Sequence, residues 1–129
     1  MVGKTTEQSR VILSQIVMPG KTNSFGNLMG GNMMYMMDMA AGMTAAKHSG
    51  RPSVTVHVSD ITFKTPVPMG NFVTITSEVI GVGRTSMTIM VIAEGEDYKS
   101  GRKYTAVTAV FKFVALDEDG KPTPVPPLI

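Results

Sequence analysis

Apolar and polar positions repeat with two different periods along these 129 residues, and each change of period marks a change of element. Arg10 to Val17 (RVILSQIV) reads as a first strand, closed by Pro19-Gly20. A polar loop follows, KTNSFGNLMGG. From Asn32 to about His48 methionine and alanine dominate, and both are good helix formers. Their apolar positions fall on nearly every face, which predicts a central helix and not a surface one. Gly50-Arg51-Pro52 stops it, with glycine and then proline after the last turn.

From Ser53 the period becomes two. Val54, Val56 and Val58 alternate with Thr55, His57 and Ser59, and then Ile61 and Phe63 take the odd positions. That change of phase predicts a bulge or kink near Asp60. Pro66 to Asn71 reads as a turn. Phe72 to Ile80 and Thr85 to Ala93 are two further strands, joined by Gly81-Val82-Gly83-Arg84. GEDYKSG makes another turn, and Arg102 to Ala115 is a long final strand. The proline-rich tail, residues 121–129, should be extended and poorly packed unless it docks.

The order strand, long apolar helix, four strands predicts an α+β fold in one domain, with a core over about residues 10–116. A curved antiparallel sheet covers one side of such a helix. A second copy is the economical cover for the rest, which predicts a dimer. Seven of the twelve methionines lie between Met29 and Met43, as adaptable core filler or as the floor of an acyl tunnel.

Composition narrows the chemistry. The length suits one ordinary domain and 43% apolar residues suit a packed core. With no cysteine, disulfides, thiolate–metal sites and cysteine nucleophiles are excluded, and a reducing, cytoplasmic setting fits. The first ten residues hold no apolar signal core. Leu28 to Ala46 carry one charge, Asp38, yet three glycines and a carboxylate costing ~2.5–3.5 kcal/mol in lipid argue against a membrane span. A net charge of +2, no basic run and eight aromatic residues argue against nucleic acid.

Asp38 is the residue to explain, because methionine and alanine surround it. Either a polar neighbour holds it and it fixes the helix register, or it is a desolvated general base or nucleophile. Gly30-Gly31 opens the helix, where free amides backed by the helix dipole can receive negative charge on an oxygen, or where close packing needs glycine. Gly31 and Asp38 stand roughly 10 Å apart along the axis, at about 1.5 Å per residue. One helix therefore cannot bring both to one carbonyl carbon, whereas two antiparallel helices across a two-fold axis can. Asn23 would orient a water, hold the carboxylate, or simply shape a turn. His48 and His57 have neither the spacing nor the carboxylate company for zinc, so no metal is expected.

The run Thr22 to Gly31 (TNSFGNLMGG), then Asp38, then Val54-Thr55-Val56 with Phe63 closing its strand, resembles the hot-dog acyl-CoA thioesterases. The similar group includes bacterial short acyl-CoA hydrolases and brain-type acyl-CoA hydrolases. Gly83-Arg84-Thr85-Ser86-Met87 adds to the likeness, which spans about Val11 to Ala115. The resemblance implies a hot-dog fold and hydrolysis of acyl-CoA without a cofactor, CoA being part of the substrate. It makes Asp38 the catalytic carboxylate and Asn23 its partner across a dimer interface, with Gly31 and Asn32 as amides polarising the carbonyl. Gly30, Phe63, Arg84, Thr85 and Ser86 would border the substrate, with Lys64, Arg102 and Lys103 as further phosphate neighbours. It also implies dimers assembled into trimers of dimers. The rivals are a non-catalytic acyl-CoA-binding module and a hot-dog hydratase or dehydratase, which would need a histidine paired with an acid.

Overall fold

The computed structural model describes residues 1–129. Its elements are α1 (Thr6–Ser9), β1 (Val11–Ile16), α2 (Gly30–Ser49), β2 (Ser53–Phe63), β3 (Phe72–Val82), β4 (Ser86–Asp97) and β5 (Arg102–Ala115). All strand pairs are antiparallel and form one sheet in the order β1-β3-β4-β5-β2. The two strands flanking α2 in the chain thus become the two edges of the sheet, and α2 lies across the face between them. This is the hot-dog fold.

Alternation does the sorting. Val73, Ile75 and Val79 of β3, Met87, Ile89, Val91 and Ala93 of β4, and Val107, Ala109, Phe111, Phe113 and Ala115 of β5 turn to the helix face and are buried. Met33, Met36, Met37, Ala40, Ala41 and Ala45 of α2 complete that core. Period two on the strands and period 3.6 on the helix both put these residues on the inner faces.

The helix starts two residues before the expected Asn32 and ends in Gly50, whose left-handed φ of 69° closes the last turn. The bulge expected near Asp60 is present: the β2–β5 register shifts between Ser59 and Thr62, and Asp60 has a φ of 54°. Strand β4 runs four residues beyond Ala93, into what reads in the sequence as turn. Gly95 sits opposite Tyr104, and a Cβ there would strike the Tyr104 ring. Glycine at this point serves close approach inside a strand, not a turn.

Two features escape the sequence reading. Thr5 and Gln8 form a capping box that starts the short helix α1. The tail does dock, as an extended strap. Val125 N–H donates to the Arg84 carbonyl, Lys4 N–H to that of Pro127, and Ile129 N–H to that of Lys4. Beneath it the fully buried His48 donates from Nε2 to the Pro126 carbonyl at 2.8 Å. The His48 ring is therefore packed under the strap at the end of the helix. Arg51 pairs with Glu118 at 2.9 Å beside the same end, and backbone hydrogen bonding and that guanidinium hold the Glu118 carboxyl below its usual range. The pair is exposed and adds little stability.

Removing residues 124–129 uncovers the Val125 site and strips His48 of its acceptor. Losing the burial of Val125 and of the surface it covers, and orphaning a buried donor, should together lower the unfolding free energy by about 2–5 kcal/mol. A urea melt of the truncated chain reads this, and an unmoved midpoint would show that the strap holds nothing.

Candidate active site

Three surfaces meet at α2. The first is its open end. The N-cap Met29 offers no side-chain cap, and the first intrahelical bond is Met33 N–H to the Met29 carbonyl at 3.0 Å. The amides of Gly30, Gly31 and Asn32 therefore point out of the helix start without an intrahelical acceptor, with the positive end of the helix dipole behind them. Gly30 lies beside Phe63: a Cβ there would make ordinary contact with the Phe63 ring at 3.5 Å.

The second is Asp38, two turns further along the same stripe as Gly31. Its Oδ1 accepts a hydrogen bond from Thr55 Oγ1 at 2.6 Å, and no cation pairs with it. The expected burial is not found. Within one chain Asp38 is exposed, on a face it shares with Tyr35, Met39 and Met43. The sheet covers the opposite side of α2, so the apolar neighbours of Asp38 in sequence do not surround it in space. The polar neighbour that the bland reading required does exist: it is Thr55, on the edge strand β2.

The third is the loop before the helix. Asn23 Oδ1 accepts from the Phe25 and Asn27 amides at 3.0 and 3.2 Å, so its carbonyl end shapes the loop, and its NH2 is the end left for other work. Asn23, Gly30 and Phe63 line one cleft at the helix start, together with Lys64. Asn32 points elsewhere, donating from Nδ2 to the Lys21 carbonyl at 3.0 Å, so only its backbone amide belongs with this group.

Within one chain, Asp38–Thr55 and Asn23–Gly30–Phe63 are therefore separate clusters. Arg84, Thr85 and Ser86 form the turn between β3 and β4. Register places them at the Thr55 end of the sheet, since Ser86 pairs with Val114 and Val114 with Val54. Their backbone is pinned, Arg84 by Val125 and Thr85 by Ala115. Arg102 lies over the Tyr104 ring and Lys103 stands opposite Glu96, so neither joins the cleft. His57 is exposed on β2 opposite Lys112. Thr55 is the residue that sequence reasoning missed. It was visible inside the motif Val54-Thr55-Val56, but one hydroxyl in a β-branched run signals strand before it signals function.

Residues 25–101 match the family model described as the thioesterase superfamily. The chain belongs to this superfamily. An acyl-CoA thioester hydrolase of Zymomonas mobilis subsp. mobilis, itself uncharacterized, is 41% identical over 113 residues, 88% of this chain and 76% of that one. The crystal structure of an acyl-CoA hydrolase from Bacillus cereus superposes with a TM-score of 0.96 at 38% identity, over 98% of this chain and 77% of that one. An apo-hexameric acyl-CoA thioesterase gives 0.97 at 31%, over 100% and 83%. The acyl-CoA hydrolase of Staphylococcus aureus, solved with butyryl coenzyme A and coenzyme A, gives 0.93 at 30%, over 98% and 77%. That hydrolase has also been solved with alanine replacing an asparagine, an aspartate or a threonine, whose separations along its chain equal those of Asn23, Asp38 and Thr55. Within the superfamily this chain is an acyl-CoA thioester hydrolase.

Thr55→Val keeps the shape and removes the hydroxyl that holds Asp38. Losing a hydrogen bond to a charged group, about 1.5–3 kcal/mol, should lower thioester kcat/KM by roughly 10- to 150-fold. Thr55→Ser should recover most of it, and a serine variant as impaired as the valine one would assign the loss to packing.

Proposed function

We propose that the chain hydrolyses acyl-CoA at a site shared between two copies, with Asp38 of one chain facing the helix start and Asn23 of the other. The observation that carries the proposal is the pair of contacts tying α2 to β2. Gly30 touches Phe63 at one end of the strand, and Asp38 bonds Thr55 toward the other. Strand β2 thus runs antiparallel to α2, alongside it, and it is an open edge.

Along that edge four apolar side chains, Val54, Val56, Ile61 and Phe63, keep 44, 52, 43 and 57% of their surface exposed, interleaved with exposed Thr55, His57, Asp60 and Thr62. A long open edge bearing apolar side chains is a pairing surface. Two copies paired along β2 about a two-fold axis run antiparallel, so the Phe63–Gly30 end of each chain falls beside the Thr55–Asp38 end of the other. The separation of about 10 Å that one helix cannot close is closed by its mate. Tyr35, Met39 and Met43 are exposed on α2 as well and remain for a second contact, as a trimer of dimers would need.

In this arrangement the amides of Gly30, Gly31 and Asn32 hold the thioester oxygen and stabilise the negative charge that grows on it. Thr55 fixes the Asp38 carboxylate. Asp38 takes a proton from a water steadied by the Asn23 NH2, the hydroxide adds to the carbonyl carbon, and the C–S bond breaks to give the acid and CoA. Direct attack by Asp38 fits the same geometry and would leave an acyl anhydride for water to open. The Arg84–Ser86 turn, at the Thr55 end, lies where the polyanionic part of CoA would emerge. A hydratase reading lacks its histidine, since His48 is sealed under the strap and His57 is exposed on the edge strand. Acyl-CoA as substrate suits a cytoplasmic setting, and no helix is long and apolar enough to cross a membrane.

Asp38→Asn keeps the acceptor for Thr55 and removes the base. It should fold normally and lose about 100-fold or more in kcat. Full activity would remove Asp38 from the mechanism.

Shared sites allow a second test. Asp38→Asn and Asn23→Ala chains, inactive alone, are mixed by co-expression. Half of randomly paired dimers are mixed and one of their two sites is intact, so roughly a quarter of wild-type activity should return. No recovery would place both residues in one chain's site.

A further inference from the structure

Four polar side chains are fully buried, Ser9, Thr44, His48 and Ser77, and the reaction uses none of them. Thr44 donates its hydroxyl to the Ser77 carbonyl at 3.2 Å, and His48 spends Nε2 on the Pro126 carbonyl at 2.8 Å. Ser9 Oγ, Ser77 Oγ and His48 Nδ1 have no hydrogen-bond partner on the protein. A buried polar atom left so carries its full desolvation cost, and native folds rarely keep one. We propose that these three atoms bind one internal water, held where α1, α2 and β3 meet beneath the terminal strap.

The topology brings the three to one junction. The Thr44 bond sets Ser77 against the helix, and His48 lies one turn beyond Thr44 on the same stripe. From the other side, the Thr6 hydroxyl donates to the Val79 carbonyl at 3.0 Å, and Val11 pairs with Ser77 itself. Ser9 falls between those two attachments, at the end of α1, and α1 packs on both α2 and β3. A water with partners about 2.8 Å away on either side spans about 5.6 Å, close to the rise of one helical turn. The junction is remote from the reacting groups: Asp38 stands ten positions before His48, about 15 Å along the axis.

The donor and acceptor pattern selects the ligand. A carbonyl oxygen only accepts, so Nε2 carries the proton, and in the neutral ring Nδ1 presents a lone pair. Nδ1 therefore needs a donor, whereas each serine hydroxyl can donate or accept. An anion would face that lone pair. A cation would bring charge among buried groups that include no carboxylate. Water donates to Nδ1, exchanges hydrogen bonds with both hydroxyls and adds no charge. It ties the end of α1 and β3 to the ring that holds the strap, so both termini are fastened to α2 through one bound molecule.

The direct test is a crystal structure of the whole protein at a resolution that orders solvent. One peak should lie within about 2.7–3.2 Å of all three atoms. A junction without that peak, or peaks that each touch fewer than the three, would overturn the proposal. Urea melts of Ser9→Ala and Ser77→Ala test it in solution through the sign of the change. A hydroxyl bonded to the water is missed when removed, so each variant should lose roughly 2- to 12-fold in its folding constant. A hydroxyl without a partner is better removed, and a raised midpoint in either variant refutes the bound water. Since both serines hold the same molecule, the double variant should lose less than the product of the single losses. A full product would mean independent sites and would equally sink the shared water.

Discussion

The hydrogen bond from Thr55 to Asp38 sets the terms for the rest of the molecule. It fastens a carboxylate in the middle of a methionine-rich helix to β2, one of the two strands with no partner on the outer side. A mid-helix aspartate on an otherwise apolar face gains nothing from helix propensity. The rotation of α2 about its axis is set by Met33, Met37 and Ala40, which are buried against the sheet, and it leaves Asp38 facing Thr55. With that rotation set, Gly31 falls on the stripe of Asp38 and Gly30 falls against Phe63. Both ends of the proposed catalytic geometry follow from that rotation and the pitch of a helix.

The two termini of α2 are treated in opposite ways. Its C-terminal end is over-determined: Gly50 closes the last turn, His48 is held by the strap, and Arg51 pairs with Glu118. Its N-terminal end has no side-chain cap, although a serine or aspartate there would add about 0.5–2 kcal/mol. A cap would occupy the same amides that are proposed to hold the thioester oxygen. The glycines lower the stability of that turn further, by roughly 0.5–1 kcal/mol each relative to alanine. Stability is thus concentrated where the helix does no chemistry and withheld where it does. The buried methionines fill the irregular space between the two ends.

What the sequence discloses follows from how local each signal is. The strands and the bulge at Asp60 are written in the alternation of neighbouring residues, so they are legible. The identity of Asp38 as a point of interest is legible too, because a charge among methionines stands out. Its exposure is not, because that depends on which half of the helix the sheet covers. Thr55 is hidden for the same reason: nothing in Val54-Thr55-Val56 says that Asp38 lies across from it, 17 positions back. The strap is illegible because prolines describe an extended chain, and only the tertiary fold supplies the Arg84 carbonyl and the His48 ring that receive it. Asn23 reads equally as turn former and as site residue, and its two ends do different things, Oδ1 serving the loop and NH2 facing outward.

The helix dipole gives the shared-site reading its sharpest consequence. A carboxylate and the positive end of its own helix cannot act on one carbon when about two turns separate them. Two copies that pair along β2 exchange these ends, so each association event creates two complete sites and each dissociation removes two. The apolar edge strand and the reacting groups then draw on one equilibrium: the free energy that covers Val54, Val56, Ile61 and Phe63 is the same free energy that brings amide to carboxylate. Substrate bound across the seam contacts both chains and must tighten it, because any ligand that prefers the paired state shifts the balance toward it. Under the shared-site proposal catalysis is a property of the pair, and the open edge that would be a liability in a lone chain becomes the surface that assembles the site.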